Sequence, residues 1–451
     1  MKSKRFTIQA GAFLLALAIG VLSEAQENPR SLPATLTLEE CLSIAHSQNR
    51  TVLSARARID ATRARASQVR ATQKPTAQIQ LSETSFKEPT GPTALDRQDA
   101  QRLTVIESVQ PFGKNLAQRR AARAQVTAAQ AEEDRAAIEI GFQVTRTFFD
   151  ILLAEELTKV ASDSLDQLGR QCDRARKLFE AGSAPRFDLL RAQVQFAAAK
   201  PALIKAIRSR DSAMADLMQL LHGDIAAIPA LIGSFPTSPP ELPRTEEEAL
   251  TLAIRRRPDL ASAIASEEAA RRQVEAAKQA LQPSLALTGT LERTRGSRVP
   301  AAEYSDNWSV GMSLQYPFFD SGLSKAQAKE ASANREQALR LLESTLATLR
   351  ADIRKARLLL GEAEEVIASQ VKNVEQAQEA LTIAQTAYET GAKTSLDVLD
   401  AQLALTQART VYSQALHDRA IAVAQYQKAL GLLEPFIPND FVVKRSVQSK
   451  P

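Results

Sequence analysis

Asp397 and Asp400 stand three residues apart in the stretch Ser395-Leu396-Asp397-Val398-Leu399-Asp400. On a helix that spacing puts both carboxylates on one face. Two chemistries are open to such a pair. Near a helix start, acids are favoured by the positive end of the dipole and the face is simply solvated. Brought together with copies of itself, the pair repels anions, concentrates cations and attracts multivalent cations as blockers. The other residues able to do chemistry form no constellation. His46, His222 and His417 are scattered, without metal-ligand spacing and without a partnering Ser or Cys motif, so no catalytic residue, metal ligand or cofactor is expected. Cys41 and Cys172, the only cysteines, lie far apart in helical contexts. They form one disulfide in an oxidising compartment or, on the favoured reading, sit as two small buried residues. Arg56, Arg58, Arg63, Arg65, Arg70 and Lys74 have no interleaved aromatics and read as a solvated helix face rather than a nucleic-acid contact.

The segments that must carry these residues begin with an export leader. Lys2, Lys4 and Arg5 precede an apolar run over residues 10–22 and then Ser23-Glu24-Ala25, the layout of a cleaved signal peptide over residues 1–25. That run falls short of the roughly 20 residues a spanning helix needs. No Cys follows it at the cleavage point to take a lipid. No later stretch approaches membrane-helix length, and 44% apolar, 5% aromatic and 24% charged residues is the balance of long helices. Any meeting with a membrane must therefore come from the fold. Without Lys2, Lys4, Arg5 and Glu24 the chain has 54 basic and 51 acidic residues, a net +3 that argues for no acidic partner.

Internal repetition decides the architecture. Glu39-Glu40-Cys41-Leu42 returns as Glu247-Glu248-Ala249-Leu250, and Lys74-Pro75 as Gln282-Pro283, both at an offset of 208. Gln110-Pro111-Phe112 returns as Tyr316-Pro317-Phe318 at 206, and Phe179-Glu180-Ala181-Gly182 as Tyr388-Glu389-Thr390-Gly391 at 209. Ordered landmarks at nearly one offset mark a tandem duplication. The first repeat covers 26–227 and the second 246–433, separated by a Pro-rich connector over 228–245 and followed by a polar tail over 434–451.

Each repeat carries one pair of strands. Trp308, Val310, Met312, Leu314 and Tyr316 alternate with Ser309, Gly311, Ser313 and Gln315, a period of two with aromatics at both ends of the apolar face. The first repeat does the same more weakly, with Ala77, Ile79 and Leu81 facing Leu103, Val105 and Val109. Strands are expected at about 75–86 and 100–112, and at about 283–295 and 305–319, with polar, turn-rich loops between them. Four strands cannot close a membrane barrel, because the smallest use about eight and open edges are not tolerated in lipid. A barrel must then be shared between chains, and three chains would supply twelve strands around a water-filled lumen.

The helices are longer still. Some 70 residues pass without Pro over 113–182 and again over 322–391, about 100 Å of helix each at roughly 1.5 Å per residue. Leu339, Leu342, Leu346, Leu349, Ile353, Ala356 and Leu360 step by alternating threes and fours, a coiled-coil seam. Beyond Gly182 and Gly391 the chain turns and runs back, over about 187–221 and 396–430. The class is mainly α: long antiparallel helical hairpins in duplicate, with four strands per chain for a shared membrane β-barrel.

This ordered set of features resembles the TolC-like outer-membrane efflux protein family over the whole mature chain. The resemblance is carried by the duplication, the Leu36-Thr37-Leu38-Glu39-Glu40 start, the Pro-Phe exit from each hairpin, and twin turns in which Gly182 and Gly391 are each followed six residues later by an Asp, Asp188 and Asp397. It implies a homotrimer with a twelve-stranded barrel in the outer membrane and a twelve-helix tunnel in the periplasm. Its closed tip opens when a periplasmic adaptor (membrane fusion) protein and an inner-membrane pump dock. It also implies that Asp397 and Asp400 ring the axis at the periplasmic constriction, and that Tyr388, Lys393 and Asp188 form a latch between helix pairs. Lys393 stands where an Arg is more typical, which replaces a bidentate link by a point charge. The function implied is a passive exit duct for a tripartite efflux pump or a type I secretion system, with a periplasmic adaptor or coiled-coil structural protein as the alternative.

Overall fold

The computed structural model describes residues 35–85, 97–109, 113–221, 230–236, 241–295 and 304–433. The leader, most of both hairpin loops, Gln110-Pro111-Phe112, His222, parts of the connector and the C-terminal tail lie outside the described residues. In chain order the first half contains β1 (Thr35–Leu36), α1 (Leu38–Gln48), α2 (Arg50–Ala71), β2 (Thr76–Ser85), β3 (Arg97–Val109), α3 (Lys114–Glu180) and α4 (Arg186–Leu221). The second half contains β4 (Ala230–Leu231), α5 (Glu246–Arg256), α6 (Pro258–Lys278), β5 (Ser284–Arg295), β6 (Ser305–Gln315), α7 (Leu323–Glu389) and α8 (Ser395–Leu430).

The repeated sequence landmarks are the devices that start and stop these helices. Glu40 completes a capping box on α1: its amide donates to Thr37 Oγ1 at 3.3 Å and its carboxylate accepts from the Thr37 amide at 2.8 Å. Thr245 accepts from the Glu248 amide at 3.3 Å to start α5. Of the breaks after these short helices, the sequence pattern does not announce the first. Asn49 leaves the helical region with ψ 126°, caps Thr51 N through its side chain and donates to the Leu220 carbonyl. Arg257, at the equivalent position, does so with ψ 120° because Pro258 follows it.

The two 67-residue helices α3 and α7 are the long columns of a helical wall. Gln73 Nε2 reaches the Asn115 carbonyl and Arg56 pairs with Glu133 at 3.1 Å, so α2 runs antiparallel along the first part of α3. Ala192 and Phe196 pack on Cys172, so α4 runs antiparallel along the last part. α6 and α8 stand end to end beside α7 in the same manner, with Arg335 on Glu267 at 3.0 Å and Arg409 on Gln378 at 2.8 Å. Ser262 to Glu132 at 2.8 Å and Thr406 to Ser164 at 3.3 Å join that pair to α3. Across the wall the columns read α2/α4, α3, α6/α8, α7.

The apolar core gathers where the shorter helices meet end to end. One cluster packs Leu36, Cys41 and Val52 with Val144, Phe148, Leu217 and Leu221. Its counterpart packs Ala249, Ala253 and Leu260 with Leu349, Ile353, Tyr426 and Leu430, so the middle of the leucine seam is spent here. Both cysteines are buried free thiols, and burial pushes the Cys41 thiol up to about 12. No described helix is long and apolar enough to cross a membrane.

The two hairpins do not stay apart. β3 pairs antiparallel with β5, giving one four-stranded sheet in the order β2-β3-β5-β6. β6 ends at Gln315, short of the expected 319. Pro317 has no amide to donate, and Ser321 and Gly322 then turn the chain with positive φ, held by Asp320, whose carboxylate accepts from the amides of Gly322 and Ser324.

Candidate functional site

Two places carry the residues singled out by sequence: the turns at the far end of the wall, and the faces of the sheet. Each long helix ends in a Schellman turn. Ser183 N donates to Leu178 O and Gly182 N to Phe179 O; Ala392 N donates to Ala387 O and Gly391 N to Tyr388 O. Gly182 and Gly391 take φ of +73° and +77° there, the reason both must be glycine.

Asp397 sits at the third position of α8. Its Oδ2 accepts from the Thr394 amide at 2.8 Å and from the Thr394 hydroxyl at 2.7 Å. Those bonds, with the nearby Lys393 ammonium, hold its carboxyl below the usual carboxylate range. Both bonds fall on Oδ2. Asp400 is exposed one turn on, so the two acids share a face. The two readings left open by the spacing are therefore compatible: Asp397 caps its own helix and still shares a face with exposed Asp400.

The latch residues are not brought together within one chain. Tyr388 packs against the small cluster of Leu381, Ala384, Val398 and Leu405, Lys393 is exposed in the turn, and Asp188 lies half-buried in the first turn of α4. Among the described residues, no hydrogen bond or ion pair joins these three to one another. The described link between the two tips is Arg174 to Glu389 at 3.8 Å, from α3 to α7. Sequence reading passed over it because the spacing of Arg174 and Glu389 along the chain gives no sign that they meet. Further along, His417 is buried between α8 and α3, with Nε2 2.7 Å from Asp150 and Nδ1 2.9 Å from Asp418. Those two carboxylates raise its pKa against the lowering effect of burial, which is the largest single influence.

The sheet separates its side chains by chemistry. The register sets Ile79, Leu103, Leu291 and Trp308 in one rung, Ala77, Val105, Gly289 and Val310 in the next, and Leu287 with Met312 and Leu285 with Leu314 beyond. All point to the same face. Trp308, Val310, Met312 and Leu314 are 70–76% exposed, so among the described residues no other part of the chain covers that face. The opposite face presents Gln78, Gln80, Thr104, Thr288, Thr290, Ser309 and Ser313, crossed by an Arg102–Glu292 pair at 2.7 Å. Glu107 is a polar exception on the apolar face and Ile106 an apolar one on the other. At one end the apolar face closes with Arg293 on Asp306 at 2.6 Å, under Tyr304. At the other end Tyr316 is joined by Phe318 and Phe319, 85% and 76% exposed. Sequence reading missed this pair by running the strand through it.

Comparison with known proteins agrees with this arrangement. A family model described as outer membrane efflux protein matches residues 41–223 and again 249–432. The cobalt-zinc-cadmium resistance protein CzcC of Cupriavidus metallidurans is 28% identical over 412 residues, 89% of this chain and 92% of that one. The pyoverdine export outer membrane protein OpmQ of Pseudomonas aeruginosa is 26% identical over 66% of this chain, and the match spans less than two thirds of that relative's length, 63%. Among solved structures, the Campylobacter jejuni CmeC outer membrane channel superposes with a TM-score of 0.80 at 18% identity, covering 90% of this chain and 88% of that one. With one model matching both halves of the duplication in turn, the chain belongs to the outer membrane efflux protein family.

Proposed function

We propose that three copies of this chain assemble into the exit duct of an export machine, a twelve-stranded barrel in the outer membrane continued by a twelve-helix tunnel. The observation that carries this reading is the sheet. It has one apolar and one polar face, and β2 and β6 each have a single strand partner among the described residues. Lipid does not tolerate such edges, whereas three sheets joined edge to edge leave none. Apolar side chains then meet lipid and the Ser, Thr and Gln face lines water.

At the opposite end, Asp397 and Asp400 from three chains bring six carboxylates to one constriction, which selects cations and takes multivalent cations as blockers. Tyr388, Lys393 and Asp188 act as a latch only between chains, since one chain does not join them. A periplasmic adaptor and an inner-membrane pump dock at this tip and supply the energy. Relatives named for pyoverdine export, alkaline protease secretion and cobalt-zinc-cadmium resistance have different cargoes, so cargo choice is assigned to the pump rather than to the wall.

Membrane fractionation with chemical cross-linking tests the assembly. Trimers recovered from the outer membrane are expected. Recovery only from the soluble periplasm would overturn the duct and favour a periplasmic adaptor.

A further inference from the structure

Where α6 begins and α8 ends, a cleft of about 550 Å³ opens between α3 and α7. Its α3 wall presents Glu139, Phe142 and Arg146, and its α7 wall Asp352 and Lys355. Arg146 lies two residues beyond Val144, and Lys355 two beyond Ile353. Two residues are roughly 200° around a helix. Val144 and Ile353 face the cores built on α1 and α5. The cleft therefore faces away from those short helices. In a closed trimer that is the lumen side, because the short helices and connector would otherwise fill the tunnel.

The charges in the cleft do not cancel. Arg257, only 12% exposed in its side chain, binds Asp259 at 2.5 Å and Asp352 at 3.0 Å. Lys428 pairs with Glu139 at 2.7 Å and lies 4.5 Å over the Phe142 ring. That uses all three carboxylates of the cleft. Arg146 has only Asp150, at 4.0 Å and already bound to His417, while exposed Lys355 has no ion pair among the described residues.

The first repeat shows that these charges are not needed to hold the helices. Asn49, Thr51 and Gln143 occupy the positions of Arg257, Asp259 and Asp352, and Asn49 fastens that junction with neutral bonds of 2.9 Å to Leu220 O and Thr51 N. A junction that holds with a neutral amide in one repeat carries the Arg257–Asp259–Asp352 ionic cluster in the other, and Arg146 and Lys355, one from each repeat at the same position, add the positive charge that this cluster does not use.

We propose that the cleft is an anion-binding station on the inner wall of the duct, taking compact phosphate-class polyanions between Arg146 and Lys355 with Lys428 and Phe142 behind them. Its placement in the lumen rests on the duct reading; the site itself does not. The test is calorimetric titration of the detergent-solubilised protein with sodium tripolyphosphate at low ionic strength. Saturable binding is expected, weakened about tenfold or more by Arg146→Gln or by Lys355→Gln and kept by Lys355→Arg. No saturable binding, or equal affinity in the Arg146→Gln/Lys355→Gln double variant, overturns it. Melting curves of the variants, whose substituted side chains are exposed, identify any loss due to unfolding, and Lys355→Arg preserves the test in that case. In planar bilayers, tripolyphosphate added from the barrel side is expected to reduce the current. Binding without any pore sinks the duct reading and leaves the site; binding without block of a conducting pore removes the site from the lumen and overturns the proposal.

Discussion

Met312→Arg is expected to prevent assembly of the barrel while Ser313→Arg is tolerated. Met312 lies midway between Trp308 and Tyr316, the aromatics at the two ends of the exposed apolar face. Eight residues at about 3.3 Å span roughly 27 Å along the strand, or about 20 Å across the membrane at a tilt near 40°. That puts Met312 at the midplane, where an arginine facing lipid costs about 2–4 kcal/mol per chain, hence about 6–12 kcal/mol for a trimer. Trp308→Arg, at the interface, costs about 0–1 kcal/mol per chain for the charge. Ser313 points to the polar face, where an added arginine meets water and changes stability by about 0.5 kcal/mol or less. The assay is the yield of folded trimer in the outer membrane across the series Trp308, Val310, Met312 and Leu314, each changed to Arg, beside Ser309→Arg and Ser313→Arg. Yield should fall to a minimum at Met312 and stay high for both serines. Equal yields on the two faces, or a flat profile with depth, would refute the assignment of the apolar face to lipid.

At the tip, Asp400→Asn removes three carboxylates per trimer. Taking about 1 kcal/mol each as a floor for unit charges about 4 Å apart in water, block by a trivalent cation should weaken about 100-fold or more in single-channel recordings. Asp397→Asn should weaken both block and the start of α8, because Oδ2 caps the helix, so added protease sensitivity at residues 390–397 is expected in that variant alone. Gly431→Ala should cost more stability than Gly391→Ala in thermal melts. Both positions have positive φ, worth about 1–2 kcal/mol of strain, but at Gly431 the new Cβ would also lie 2.8 Å from the Arg256 backbone, whereas at Gly391 nothing lies within 4 Å. His417, with Asp150 and Arg146 facing it from α3 and Asp418 and Gln414 beside it on α8, has a raised pKa. Its contribution is therefore fully present below pH 6.5 and lost as pH rises through the higher folded value. Melting temperature should fall with pH over that range in the natural protein and not in His417→Gln; parallel curves would remove the link.

What could be read in the sequence, and what could not, follows from where each feature's cause lies. The alternation from Trp308 to Tyr316 is legible because a strand with lipid on one side and water on the other has no freedom to break its period. Gly182 and Gly391 are legible because a Schellman turn requires a left-handed residue, and few others accept it cheaply. The break at Asn49 was not legible, since its cause is the Leu220 carbonyl, 171 residues away. Arg174 and Glu389 were missed for the same reason: their spacing in sequence carries no signal of their meeting. The latch differs again, because Asp188, Tyr388 and Lys393 are singled out by turn position while one chain gives them no common contact.

The offset between the repeats supplies the last step. It is 206 at Pro111 and Pro317 but 209 at Gly113 and Gly322, so the second repeat holds three extra residues between the sheet and its long helix. They are Phe319-Asp320-Ser321, the turn in which Asp320 caps α7 and Ser321 takes φ +56°. Beyond that turn both long helices have 67 residues and both return helices 36, so the added length is confined to the base of β6. There it sets Phe319 beside Phe318, both largely exposed, where strand gives way to helix. Membrane barrels carry girdles of aromatic residues at both interfaces. The duplication therefore built two equal columns for the tunnel and then altered one at the membrane boundary. If the two phenylalanines anchor the barrel base, Phe318→Ser/Phe319→Ser should lower the yield of inserted trimer. The helical hairpins, whose packing lies elsewhere, should keep their protease resistance.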